Sequence, residues 1–143
     1  MFSYSVKFIC GVQNAHAEPH GCTVVRQGAY ATEINIHNFH REEKAEIEKR
    51  AFLLVHNDVP EGREPHFAKG QPFDRIILPP ETATMDDCCR LAERLKFIPG
   101  RLSIGFLELL SSVELNVVAV YTATDLRAGS ISIEVETINA RKI

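Results

Sequence analysis

Strict alternation of side chains over residues 28–38 constrains the fold of this chain more than any other feature of its sequence. One face of the segment would carry Tyr30, Thr32, Ile34 and Ile36, and the other Ala31, Glu33, Asn35 and His37. A period of two residues is typical of a β-strand with one buried face and one face in solvent. Residues 28–38 are therefore predicted to form a half-buried strand of an antiparallel sheet.

Further segments have the alternation or the β-branched content of strands. They are residues 6–12, with Gly11 ending or bulging the strand, 41–56, 73–78, 101–110, 113–122 and 130–138. Residues 41–56 fit helical spacing as well as strand spacing. We choose a strand, because the polar residues before it favour a hairpin with residues 28–38. Ile34, Ile36, Val118 and Val120 are predicted to lie in the core.

Residues 84–96 are predicted to form the one helix of the chain. Thr84 would cap it, with Asp86 and Asp87 in the positive first turn and Lys96 in the negative last turn. Its inward stripe would consist of Cys88, Leu91, Ala92 and Leu95. Pro and Gly at positions 99 and 100 would end it.

These elements predict an all-β fold, an immunoglobulin-like antiparallel β-sandwich of about seven strands with one short inserted helix. The proline- and glycine-rich residues 57–72 are predicted to form a long loop. A chain of 143 residues with 45% hydrophobic content suits a single domain, so we expect one β-sandwich domain over residues 1–143.

Charge and hydropathy exclude several classes of partner. Sixteen Lys and Arg against 19 Asp and Glu give a net charge of −3, which argues against a nucleic-acid partner. The longest apolar stretch, residues 115–121, is far shorter than the roughly 20 residues that span a bilayer, so no membrane insertion is expected. The start lacks the pattern of a signal peptide, and the four cysteines have no zinc-finger spacing. We therefore expect a reduced, cytoplasmic protein.

All six histidines lie within the first 66 residues, which makes this half a candidate metal site. They are His16, His20, His37, His40, His56 and His66. Their spacing is not that of a metal motif, because His16 and His20 would share a face only in a helix, which Pro19 disfavours. We expect solvated or structurally hydrogen-bonded histidines, with no metal and no cofactor.

The cysteines leave two alternatives open. Cys88 and Cys89 are adjacent and rarely bridge each other, since the disulfide geometry strains the peptide between them. The favoured interpretation is that Cys88 is a small buried apolar residue and Cys89 is partly exposed. The alternative is a structural disulfide such as Cys10–Cys88, with Cys22 as another candidate partner. A catalytic cysteine is not expected.

Residues 8–11, 30–38 and 115–123 together resemble a group of small bacterial β-sandwich proteins with no assigned activity. The strand order and the Val-Glu-Leu-Asn-Val-Val segment at 113–118 are similar to the sensory rhodopsin transducer type of sandwich, a soluble oligomeric binding protein. This resemblance implies an immunoglobulin-like, non-enzymatic module that assembles with itself or with a partner. It implies no catalytic residue.

A ligand site is expected at one end of the sandwich. A helix laid across that end would bring Thr84 and Asp86 near His37, Asn38 and His40, which supply donors, acceptors and imidazoles over an apolar floor. The alternative is that these five residues only cap the helix and close the hairpin.

The leading hypothesis for function is a homo-oligomeric, non-enzymatic β-sandwich that binds a protein or a small ligand through the loops at one end. Four phenylalanines at predicted loops or element ends would supply an aromatic oligomer surface: Phe39, Phe67, Phe73 and Phe97. The alternative hypothesis is a metal-binding sensor or enzyme that uses the histidine-rich N-terminal half.

Overall fold

Ten β-strands and one helix make up the computed structural model, which describes residues 1–14 and 23–143. The strands are β1 (Phe2–Gln13), β2 (Gly28–Asn38), β3 (Ala45–His56), β4 (Val59–Pro60), β5 (Gln71–Leu78), β6 (Thr82–Asp87), β7 (Ser103–Ser111), β8 (Asn116–Thr124), β9 (Ile131–Ile138) and β10 (Arg141–Lys142). The helix α1 is Cys88–Leu95. The strand pairs are antiparallel, so the predicted all-β class is confirmed.

The strands form two sheets that share β1. In sheet A, β3 lies between β7 and the pair β4 and β5, and β7 is followed by β1 and β10. In sheet B, β2 lies between β6 and β8, and β9 follows β8 at the edge. Residues 2–10 of β1 pair with β7, whereas residues 11–13 pair with β2 beside β6.

Strand β1 changes sheets at Gly11. This residue has φ +106°, and a Cβ built on it would lie 2.0 Å from the carbonyl oxygen of Arg101. Only glycine accepts both the positive φ and the close approach of a neighbouring backbone. The alternation changes phase at this point, so that Gln13 is buried, whereas strict alternation from Cys10 would bury Val12.

The core lies between the two sheets. Ile34 and Ile36 of β2 are fully buried, which confirms their prediction. In β8 the inward residues are Val117 and Ala119, so the prediction of Val118 and Val120 as core was wrong. The strand is apolar on both faces, and such a strand carries no pattern that shows which side faces inward.

Residues 41–56 contain a strand, as predicted, and β3 begins at Ala45. Residues 57–72 are mostly loop, although β4 interrupts them and β5 begins at Gln71. Among the described residues, no helix is long and apolar enough to cross a membrane.

The helix begins three residues later than predicted. Asp87 is its N-cap and accepts a hydrogen bond from the Arg90 N–H at 2.9 Å, while Thr84 lies within β6. Pairing of β6 with β2 holds residues 82–87 extended, a long-range contact that local capping preferences do not contain. The inward stripe is confirmed for Leu91, Ala92 and Leu95.

Replacing Gly11 with alanine is expected to destabilise the fold by about 3 kcal/mol or more, because positive φ and a clash with backbone act together. The matched control is Gly100→Ala. Gly100 also has positive φ, +90°, but no atom lies within 4 Å of its virtual Cβ. That variant should lose only about 1 kcal/mol. Urea denaturation measures both, and equal losses would contradict the close approach at Gly11.

Candidate functional site

Strand β9 presents its apolar side chains to solvent instead of to the core. Its inward row is Ser132, Glu134, Glu136 and Ile138, and its outward row is Ile131, Ile133, Val135 and Thr137. Ile131, Ile133 and Val135 are 69%, 67% and 64% exposed. Amphipathic strands usually have the reverse arrangement, so this inversion marks β9 as a functional candidate.

The exposed row of β9 continues onto β8. Val135 lies opposite Val120, Ile133 opposite Thr122 and Ile131 opposite Thr124. We call this surface the outer face of sheet B, and it consists of Val118, Val120, Thr122, Thr124, Ile131, Ile133, Val135 and Thr137. None of these side chains carries a charge. Contiguous exposed apolar surface of this kind is typical of a protein interaction site.

The predicted aromatic surface is smaller than expected. Phe39 and Phe67 are exposed, but Phe73 and Phe97 are buried in the core. Phe73 lies within β5 and its carbonyl oxygen accepts a hydrogen bond from Arg94 of the helix at 2.9 Å, while Phe97 lies two residues after the end of the helix. The exposed apolar side chains that form a continuous row along one strand are aliphatic and lie on β9.

The five predicted ligand residues do not form a common rim. His37 points outward from β2 and lies opposite Ala83, whereas Asp86 points inward opposite Ile34. Glu33 lies opposite the helix cap Asp87, and His37 lies four residues further along β2. Four residues of strand span about 13 Å, so His37 is about this far from the start of the helix. Thr84, opposite Ile36, is half-buried within β6 and caps nothing.

Asn38 and His40 close the turn after β2. The buried Asn38 side chain donates to the carbonyl oxygens of Glu43 at 2.8 Å and Leu78 at 3.1 Å, and it accepts from the His40 N–H at 3.1 Å. The His40 Nε2 lies 2.8 Å from the Glu114 carbonyl oxygen. Both residues therefore have the hairpin-closing contacts of the alternative interpretation.

His37 lines an open cleft of about 410 Å³ at this end of sheet B. Phe39, Asn116 and Thr137 are among its other walls. Of the five predicted ligand residues, His37 is the one that lines this cleft. Its role in ligand binding stays a prediction.

A buried ion pair connects the two sheets. Lys49 of β3 and Asp86 of β6 approach to 2.7 Å between Nζ and Oδ2, with each side chain only 3% exposed. The Lys49 Nζ also lies 6.0 Å from the centre of the Phe73 ring. Sequence reasoning missed this pair, although Lys49 is the one polar residue in the inward row of β3: Ala45, Ile47, Lys49, Ala51, Leu53 and Val55.

A second ion pair lies close by at the surface of the helix. Arg90 donates to Asp74 at 2.7 Å. Partial burial alone would raise the pKa of Asp74, but the hydrogen bonds from Arg90 and the Arg75 N–H outweigh it and lower the pKa. A lowered folded-state pKa means that this pair stabilises the fold above the ordinary carboxyl pKa and loses that effect as the pH falls through the lowered value.

A disulfide joins Cys10 of β1 to Cys88 at the start of the helix. The favoured prediction of an unpaired Cys88 was therefore wrong, and the alternative disulfide is the one that forms. Two elements 78 residues apart in sequence meet here, which no local pattern indicates. Cys89 is free and exposed.

No group of three or more His, Cys, Asp or Glu side chains that could hold a metal ion occurs within residues 1–14 and 23–143. His16, His20 and Cys22 lie outside the described residues. For those three, the sequence predictions stay as they were.

Removing one member of the buried ion pair is expected to destabilise the fold strongly. Lys49→Met should cost about 3–5 kcal/mol, because it leaves the Asp86 carboxylate buried without a cation. Asp86→Leu should cost a similar amount for the complementary reason. The double variant should regain most of the loss. Urea denaturation of all four proteins measures the coupling, and additive losses would show that the two charges do not depend on each other.

Comparison with known proteins gives a likeness at the level of the fold. No protein-family model matches the sequence, and no curated protein matches it. Among solved structures, the crystal structure of Thermotoga maritima 1070 is similar, with a TM-score of 0.51 and 11% sequence identity. The match covers 96% of this chain and 91% of that chain. At this identity the likeness concerns the fold alone, so function must be argued from the surfaces described above.

Proposed function

We propose that this protein is a non-enzymatic assembly module that forms homo-oligomers through the outer face of sheet B, and that its two sheets are the halves of an immunoglobulin-like sandwich. The observation that carries the proposal is the row of Ile131, Ile133 and Val135, each about two-thirds exposed. Burying one such side chain completely contributes roughly 1.5–3 kcal/mol.

The face approaches the size of a dimer interface when all four strands of sheet B take part. Sheet B is four strands wide, roughly 19 Å, and eight residues along β9 extend about 26 Å. This is on the order of 500 Å² in projection, and side-chain relief enlarges the accessible area towards the roughly 800 Å² per partner of a stable interface. The uncharged rows of β8 and β9 form one half of this area, and the outward rows of β2 and β6, which include Glu33 and Met85, form the other half. Two such faces can stack as sheets do in sandwich cores, about 10 Å apart.

The charge distribution favours self-association on this face and not on the opposite one. Copies of a chain with net charge −3 repel each other unless the contact surface is uncharged. The outer face of sheet A carries Glu46, Glu48, Arg50 and Glu108, and two ion pairs, Arg50 with Glu108 and Arg75 with Glu48, occupy it. Such a face favours contact with water, whereas the outward rows of β8 and β9 carry no charged side chain.

The cellular location of the protein is a separate question from its assembly. A cytoplasmic location stays a prediction, and the Cys10–Cys88 disulfide weighs against it, because disulfides persist mainly in oxidising compartments. A protein or small-molecule ligand beyond the second copy also stays a prediction. No observation on the described residues favours the metal-dependent alternative.

Sedimentation at micromolar concentration tests the assembly. The native protein is expected to show a multiple of 16.0 kDa, and Ile133→Glu should reduce it to 16.0 kDa, because a carboxylate would be buried at the centre of the contact. Ile77→Glu is the matched control, since Ile77 is 60% exposed on β5, away from this face. It should sediment like the native protein. A native monomer, or an Ile133→Glu variant that stays oligomeric, would refute the proposal.

A further inference from the structure

An open cleft of about 350 Å³ lies between β1 and the inner side of β8 and β9. Its walls include Ile9, Tyr30, Tyr121, Glu134 and Glu136. Glu134 and Glu136 alternate along β9 with the outward Ile133 and Val135, so their side chains lie on the opposite side of the strand from Ile133 and Val135. Its volume is at the lower end of the range of about 300–1,000 Å³ for small-molecule sites.

The tyrosine hydroxyls of the cleft already have partners. Tyr121 donates to the Lys7 carbonyl oxygen at 2.8 Å, and Tyr30 donates to the Arg26 carbonyl oxygen. These bonds fix the two rings in place. The rings therefore contribute aromatic surface to the cleft, beside the aliphatic side chain of Ile9.

The two carboxylates of the cleft have no ion-pair partner within residues 1–14 and 23–143. Lys7 also lines the cleft, but its Nζ lies 4.8 Å from the centre of the Phe106 ring, on sheet A. Burial together with the charges of Glu136 and Glu134 raises the pKa of Tyr121 to about 12. The negative potential of the two carboxylates thus reaches the tyrosine ring.

We propose that this cleft binds a small organic cation of the alkylammonium class, held between the carboxylates of Glu134 and Glu136 and the tyrosine rings. Aromatic faces attract ammonium groups, and the exposed carboxylates of Glu134 and Glu136 add the attraction of two negative charges. Ile9 would contact the alkyl substituents. Ca²⁺ and Mg²⁺ prefer six or more oxygen ligands and would gain nothing from the rings, and an anion would be repelled.

Choline is the probe, and 3,3-dimethyl-1-butanol is its uncharged counterpart of the same shape. The chain has no tryptophan and three tyrosines, of which Tyr30 and Tyr121 line the cleft, so tyrosine fluorescence reports binding directly. At constant ionic strength, choline should give a saturable change in fluorescence. The alcohol should bind at least tenfold more weakly, because it lacks the charge that the carboxylates recognise.

Two double variants with the same net charge locate the site. Glu134→Gln with Glu136→Gln should weaken choline binding at least fivefold, whereas Glu42→Gln with Glu43→Gln, on exposed residues elsewhere, should leave it unchanged. The proposal is overturned if choline gives no saturable change up to about 50 mM. Equal binding of choline and the alcohol, or native affinity in the Glu134 and Glu136 variant, would overturn it as well. The proposal does not rest on the oligomeric state, since the Glu134 and Glu136 side chains lie on the opposite side of β9 from Ile131, Ile133 and Val135.

Discussion

The passage of β1 from sheet A to sheet B at Gly11 is the constraint on which the rest of the structure depends. It places one strand in both hydrogen-bonded ladders and sets how the sheets face each other. Along the edge of β1 that faces away from β7, side chains of sheet B complete the backbone hydrogen bonds. The Thr32 hydroxyl accepts from the Ile9 N–H and donates to the Ile9 carbonyl oxygen, and the Tyr121 hydroxyl donates to the Lys7 carbonyl oxygen. The Cys10–Cys88 disulfide adds a covalent link one residue before the crossing.

The sequence predicted the fold correctly where apolar and polar side chains alternate clearly along a strand. In β2 the alternation placed Ile34 and Ile36 correctly in the core. It failed where tertiary contacts decide between local options. Val118 and Val120 lie in a strand that is apolar on both faces, and Thr84 lost its capping role because β6 pairs with β2. In such segments, the side that faces the core and the ends of the element can be predicted only when the neighbouring strand and its register are known.

The surfaces proposed for function were harder to predict than the core. The alternation of β9 is plain in the sequence, but it does not show which row faces inward, and the register with β8 places the glutamates on the inward side and the apolar row in solvent. The same limit applies to the interior: Lys49 and Asp86 are 37 residues apart and meet only across the two sheets. An isolated polar residue in an apolar row, as Lys49 is in β3, is the signal that could have indicated such a pair.

The accessibility of methyl groups on β9 tests the central claim, that the outer face of sheet B is an assembly surface, most directly. A soluble paramagnetic agent broadens the NMR signals of exposed methyl groups. Between low and high protein concentration, the methyl signals of Ile131, Ile133 and Val135 should become protected, while those of Ile77, which is also exposed, should stay accessible. Equal accessibility of all four residues at every concentration would contradict the account.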